Sequence, residues 1–317
     1  MNATEYRRTV PDKPASEISI DAPLIRGLLV DQALHVIPEA AALHLEKVAE
    51  GWDSEVWRLG DAYAVRLPRR ALAAPLMLHE QAVLPGIAER LAPVGVRVPA
   101  PVVDGTPSRG YPWAWSVVPW IDGERALDES RPERSAWAAT LADAVGALHA
   151  EAPADHPVNP FRGSALATRS HAVQERLAAL RHAGALDEAS ATTLDRIWRA
   201  GLAAAEWDRA PVWIHGDLHP GNLVSHEGAL VGIIDFGDVT AGDPAYDLAA
   251  AWLTFDAAGR ARFIAATGSR YDADTWLRAR AWAAAVVLML LAHSDDNPDY
   301  LAVGRAAQAE VVADAAD

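Results

Sequence analysis

A chain of 317 residues, 51% hydrophobic and 22% charged, has the composition of a soluble globular protein with enough material for one large core or two. The absence of cysteine excludes disulfides, iron–sulfur ligation, cysteine-based zinc sites and a thiol nucleophile. A net charge of −15 argues against nucleic acid as a partner, and 16 basic against 29 acidic residues in 121–317, compared with 12 against 14 in 1–120, place the acidity late in the chain, where it favours a cationic ligand. The opening MNATEYRRTVPDKP lacks the apolar core of a signal peptide, and the apolar stretch 281–292 is too short to span a bilayer, so a cytoplasmic protein without a membrane partner is expected.

Residues 1–15 are polar and contain proline, which reads as a loose lead-in. Asp21 ahead of Ala22-Pro23-Leu24-Ile25 marks a helix start, with Leu24, Ile25, Leu28 and Leu29 as its apolar stripe. Residues 43–49, 55–59 and 63–67 are short extended runs separated by Glu50-Gly51-Trp52-Asp53 and Gly60-Asp61, which predicts an antiparallel meander. A helix is expected over 74–91 and strands over 101–103 and 113–118, the second strongly apolar and therefore central. After a connector at 119–124 the pattern turns helical, over 134–150, 167–183, 187–207, 244–255 and 274–292. One segment breaks this run: 211–227, rich in His, Asp, Gly, Pro and Asn, followed by a strand over 230–234. The expected fold class is α+β. A small antiparallel-sheet amino-terminal lobe, residues 1–119, precedes a larger, mostly helical carboxy-terminal lobe, residues 120–317, and the cleft between such lobes is a standard place for a small-molecule site.

The interrupting segment carries the chemistry. It reads His215-Gly216-Asp217-Leu218-His219-Pro220-Gly221-Asn222, with Asp235-Phe236-Gly237 beginning thirteen residues after the asparagine. Phosphoryl transfer needs a carboxylate that orients the attacking hydroxyl and accepts its proton, and hard oxygen ligands that hold magnesium on the nucleotide phosphates. Asp217 fits the first role; Asn222 and Asp235 fit the second. The Asp-x4-Asn spacing followed by Asp-Phe-Gly matches the protein-kinase signature, with His-Gly-Asp in place of His-Arg-Asp.

The run HGDLHPGN, then IDFGD, then GDPAYDLA resembles the aminoglycoside phosphotransferase family, including its macrolide-phosphorylating relatives, over most of residues 40–295 and most strongly over 213–252. The resemblance implies a bilobal protein-kinase-like fold and transfer of the terminal phosphate of ATP or GTP, with Mg2+, to a hydroxyl of a small molecule. Asp217 is then the catalytic carboxylate and Asn222 and Asp235 the metal ligands. His215 is expected to buttress its loop, Asp243 and Asp247 to brace the loop and cap the next helix, and the roles of His219 and Asp238 stay open. On the nucleotide side the resemblance implies a phosphate-covering hairpin whose donor is Ser54 or backbone N–H groups, Glu80 as the acid that pairs with the strand cation, and Val118, Trp120 and Ile121 at the hinge. There the base-binding donor comes from Trp120 or Ile121, because Pro119 has no N–H. The chain departs from kinases at Arg66, which stands where they carry lysine, with Arg69 or Arg70 as candidates to share the phosphate. The acceptor expected is a cationic aminoglycoside or macrolide. The alternatives are a metabolic small-alcohol kinase of choline, homoserine or sugar type, and a non-catalytic pseudokinase-like binding protein.

Overall fold

In the computed structural model, which describes residues 15–159, 161–295 and 297–314, the first helix begins where its capping chemistry places it. Asp21 is extended, its carboxylate accepts the Leu24 N–H at 2.9 Å, and Pro23 occupies the first turn of α1 (Ala22–Gln32). Ile25, Leu28 and Leu29 are fully buried in one cluster with Leu59, Val65, Leu67 and Trp115. The expected lead-in lies outside the described residues except for its last position. The described residues form two compact units, divided between Asp122 and Gly123.

The amino-terminal unit holds a five-stranded antiparallel sheet in the order β1-β2-β3-β5-β4. Its strands are β1 (Leu45–Glu50), β2 (Ser54–Leu59), β3 (Tyr63–Pro68), β4 (Val103–Gly105) and β5 (Trp115–Pro119). β5 lies between β3 and β4, and Trp115 to Val118 are buried. β1 is an edge strand with exposed Glu46, Lys47 and Glu50, charges that discourage further pairing. Lys47 is held by Glu50 and Glu55. Between β3 and β4 runs α2 (Ala74–Leu91), which buries Met77, Glu80, Leu84 and Ile87.

The carboxy-terminal unit is mostly helical, with β6 (Glu124–Arg125) pairing with β8 (Leu223–His226), β8 with β9 (Ala229–Ile233), and β7 (Val212–Ile214) with β10 (Thr240–Gly242). Its helices are α3 (Arg131–Arg134), α4 (Ala138–Leu148), α5 (Ser170–His182), α6 (Glu188–Ala203), α7 (Ala245–Leu248), α8 (Ala250–Thr254), α9 (Ala257–Ala266), α10 (Ala273–His293) and α11 (Pro298–Ala313). Several bounds differ from the sequence expectation. The helix expected over 134–150 starts earlier, at the Ser130–Glu133 capping box, and a 3-10 turn over Ser135–Trp137 splits it. Arg131 and Arg134 there reach the carbonyls of Trp252, Leu253 and Thr254, the unpaired end of α8. The helix expected over 244–255 is likewise two short pieces, α7 and α8. Capped by Asp256 and Asn297, α9 and α11 lie outside the expected set. The apolar run 281–292 belongs to α10, whose 21 residues are long and apolar enough to cross a membrane by length and composition alone. It packs in the core of this unit, burying among others Ala281, Trp282, Ala284, Val287 and Leu288.

Candidate active site

Strand pairing in the carboxy-terminal unit gathers the motif residues at one end of two small ladders. In the β8–β9 hairpin Leu223 faces Ile233, and the Ile234 N–H donates to the Asn222 carbonyl at 2.9 Å. Asn222 and Asp235 therefore flank the same end of one hairpin. In the β7–β10 ladder Ile214 faces Thr240, so the loop carrying Asp217 leaves β7 beside the Phe236–Asp238 turn that leads into β10.

The Asp217 loop is braced from beneath by buried groups. His215 is fully buried; its Nδ1 accepts the Asp217 N–H at 3.1 Å and its Nε2 lies 2.9 Å from the Ile234 carbonyl. Those two bonds require a neutral imidazole protonated on Nε2, a buttress rather than a proton carrier. Asp247, also fully buried, accepts the His215 N–H at 2.7 Å and the Gly216 N–H at 3.0 Å, and faces His149 Nε2 at 3.2 Å. His149 Nδ1 in turn meets the Tyr271 hydroxyl at 2.8 Å. Asp243 accepts the Ala245 N–H at 2.9 Å and is ion-paired with Arg278 at 2.6 Å. Bracing thus falls to Asp247 and capping to Asp243.

The Asp217 side chain keeps 39% of its surface open. Asn222 Nδ2 donates to the Asp217 carbonyl at 2.8 Å, and His219 Nε2 lies 3.5 Å from the carboxylate. His219 Nδ1 accepts the Gly221 N–H at 3.0 Å, and its ring meets Tyr300 edge-on at 5.3 Å. Burial pushes the Asp217 carboxyl up, but the His219 imidazole and the Arg162 guanidinium outweigh it and hold the group well below the usual carboxylate range. Asp217 is therefore ionised at neutral pH. Asp235 sits at φ 62°, ψ 64°, a left-handed conformation that costs a non-glycine residue about 1–2 kcal/mol.

These groups fit magnesium. The Asn222 amide directs its nitrogen to the Asp217 carbonyl, which leaves its oxygen as the ligating atom. With Asp235 the donors are all hard oxygen. Among the described residues no group of three or more His, Asp or Glu is gathered to hold a metal unaided, and magnesium is characteristically bound by one or two protein oxygens completed by phosphate.

Three residues around the Asp217 loop carry no motif signal. Arg162 donates from Nε to the Gly216 carbonyl at 2.6 Å, and its Nη2 lies 2.7 Å from Asp238 and 4.0 Å from Asp217. Asn159 donates to the Asp238 carboxylate at 2.8 Å. Tyr300 reaches the site from α11. Asp238, whose role the sequence left open, is thus an ion-pair partner; burial raises its pKa against the pull of Arg162.

In the amino-terminal unit the structure joins Arg66 to Glu80: both terminal guanidinium nitrogens engage the Glu80 carboxylate, and both side chains are nearly buried. Arg69 donates to the Gly51 carbonyl at 3.1 Å and pairs with Glu50, while Arg70 pairs with Asp53. Those two arginines brace the Glu50–Asp53 hairpin. Ser54 opens β2, its carbonyl accepting the Gly51 N–H at 2.8 Å. Val118 is buried in β5 opposite Ala64. The Trp120 N–H is bonded to the Ala62 carbonyl at 2.8 Å and its own carbonyl accepts from Arg97, so the expected backbone donor narrows from Trp120 or Ile121 to Ile121. One face of the Trp120 ring carries the Arg58 guanidinium at 4.5 Å.

Removing Arg66 would strand a buried carboxylate, a loss of about 3–5 kcal/mol for a buried pair. Arg66→Ala is expected to lower the melting temperature and weaken nucleotide binding, Arg66→Lys to recover part of both, and Glu80→Ala to add little on top of Arg66→Ala. Thermal melts and nucleotide titrations of the four proteins check this; strictly additive losses would mean that the two side chains act separately.

The model of the phosphotransferase enzyme family matches residues 44–282. Among solved structures, the GDP complex of wild-type aminoglycoside 2'-phosphotransferase-IIIa is 20% identical with a TM-score of 0.66, over 93% of this chain and 99% of that one. ADP-bound aminoglycoside phosphotransferase APH(2'')-Ib is 17% identical with a TM-score of 0.57, over 92% and 100%. The apoenzyme of macrolide 2'-phosphotransferase MphH from Brachybacterium faecium is 21% identical with a TM-score of 0.59, over 92% and 97%. Comparison with curated proteins finds no match. The structural likenesses establish the expected α+β, protein-kinase-like fold, and at these identities they carry the fold alone.

Proposed function

Because the chain belongs to the phosphotransferase enzyme family, we propose that it transfers the terminal phosphate of ATP or GTP, with Mg2+, to a hydroxyl of a small cationic molecule, an aminoglycoside or macrolide antibiotic. The observation that carries this reading is the arrangement of Asp217, Asn222 and Asp235 at the ends of two ladders, with Asp217 held ionised. Asp217 orients the acceptor hydroxyl and takes its proton as the oxygen attacks phosphorus. Asn222 and Asp235 would hold the magnesium, which supplies charge neutralisation on the phosphates. Nucleotide holding is assigned to the amino-terminal unit, through Ser54, the Arg66–Glu80 pair and the backbone at Val118 and Ile121; acceptor binding is assigned to the carboxy-terminal unit. The neighbours' names, one a GDP complex and one ADP-bound, support a nucleotide donor, and their aminoglycoside and macrolide activities support the acceptor class. The excess of 29 acidic over 16 basic residues in 121–317 supports a cationic acceptor.

The test is nucleotide consumption by the purified protein, with ATP and GTP, against aminoglycosides, macrolides, choline, homoserine and simple sugars, at low and physiological salt. An amine-bearing antibiotic should give the highest kcat/KM, and its KM should rise with salt as the Debye length falls to about 8 Å. Asp235→Ala should stop turnover and abolish the effect of magnesium on nucleotide affinity. A neutral alcohol as best acceptor, with salt-independent rates, would sink the antibiotic reading. No turnover with any acceptor would favour a binding protein, and an unchanged magnesium response in Asp235→Ala would remove that residue as a ligand.

A further inference from the structure

Residues 157–159 and 161–163 carry no motif of their own, yet they are fastened to the loops of the candidate site at several points. Thr240 Oγ1 donates to the Pro157 carbonyl at 2.8 Å. Asn159 donates to the Asp238 carboxylate at 2.8 Å while its own carbonyl oxygen Oδ1 accepts the Phe161 N–H at 2.8 Å. Arg162 follows, its guanidinium joining the Gly216 carbonyl to Asp238 and lying 5.7 Å from the centre of the Tyr246 ring. Two glycines permit the close fit. Gly216, at φ +83°, has no room for a Cβ, which would stand 2.6 Å from the Asp238 carbonyl and 3.2 Å from Arg162 Cγ. At Gly163, φ +70°, a Cβ would stand 2.4 Å from the Ala241 carbonyl.

We infer that Arg162 is a positioning residue, whose fork ties the loop bearing Asp217 to the turn bearing Asp238 and so fixes where the Asp217 carboxylate points. Two carboxylates this close to one another repel; a guanidinium between them, bonded to the backbone on one side and to Asp238 on the other, holds them in a single arrangement. A lysine carries the same charge on one nitrogen and has no planar fork with which to engage the Gly216 carbonyl and Asp238 together. Arg162 acts through Asp217, so the inference rests on the reading of Asp217 as the hydroxyl-orienting acid.

The experiment is a double-mutant cycle of Arg162→Met with Asp217→Asn, in the full-length protein. It measures hydrolysis of ATP and GTP with magnesium and water as acceptor, then transfer to kanamycin and to a 14-membered macrolide. Arg162→Met should lower kcat by about 10- to 100-fold, the scale of a small misplacement of a reacting group, and leave the nucleotide KM within about twofold. Arg162→Lys should recover part of kcat. Added to Asp217→Asn, Arg162→Met should cost nothing further, because the group it positions is gone. Losses that multiply, or a raised nucleotide KM, would show that Arg162 touches the phosphates itself and would overturn the inference, as would a kcat near the parent's. Should Arg162→Met fail to fold, the same cycle run with Arg162→Lys separates non-additive from multiplying losses in the same way. If Asp217→Asn alone turned over at the parent rate, the reading of Asp217 would fall, and the cycle identifies that case separately.

Discussion

Asp217→Asn is expected to lower turnover by about two to four orders of magnitude, the range for loss of a general base, while the protein stays folded and still binds nucleotide. The side chain is replaced by a near-isostere that cannot accept the hydroxyl proton. The loop should survive the change because its supports lie elsewhere: the His215 imidazole, the Asp247 carboxylate under two backbone N–H groups, and the Asn222 amide on the Asp217 backbone carbonyl rather than on its carboxylate alone. Nucleotide affinity should survive as well, since the proposed phosphate and magnesium groups are Ser54, Arg66, Asn222 and Asp235. A kcat measurement beside a thermal melt and a nucleotide titration checks all three statements. Near-parent turnover by the folded variant would remove Asp217 from the role; collapse of the melt would mean that the carboxylate also holds the loop.

The candidate set of Asp217, Asn222 and Asp235 is legible because short-range spacing encodes it: the three sit on loops whose lengths are set by two tight ladders. Helix starts at Asp21 and Asp187 were legible for a similar reason, since an N-cap acts on a backbone N–H three residues away. Contacts that close long loops were not. Arg162 meets Gly216 across 54 residues, and no local pattern distinguishes it from any other loop arginine. The strands β7, β8 and β10 are three or four residues long, too short to display alternation against the Gly- and Pro-rich composition around them. The contacts of Arg69 and Arg70 with the Gly51 carbonyl and the acids at Glu50 and Asp53 are equally invisible, since they depend on how the hairpin folds back on the end of β3. Nothing in the sequence reveals that the Trp120 N–H is taken up by the Ala62 carbonyl.

Asp247→Ala is expected to destabilise the carboxy-terminal unit strongly. The carboxylate is fully buried and receives the N–H groups of His215 and Gly216 on its two oxygens, with His149 against one of them. Alanine leaves those donors facing a cavity without an acceptor, and each buried unsatisfied group costs about 1–3 kcal/mol. Breaking the buried His149 contact places the total at about 3–5 kcal/mol, a large fraction of a typical domain stability. Asp247→Asn should be intermediate: its amide oxygen can still accept one N–H, but its NH2 then confronts the other donor. Turnover should fall with both variants even where the fold holds, because His215 and Gly216 carry Asp217. Tyr271→Phe, two bonds further out, removes only the hydroxyl at His149 Nδ1 and should cost about 1 kcal/mol. Urea midpoints at constant m-value, read beside kcat, separate the stability and positioning effects. If Asp247→Ala kept the parent midpoint and the parent kcat, the loop would be self-supporting, and the chain from Tyr271 through His149 and Asp247 to the Asp217 backbone would carry no load.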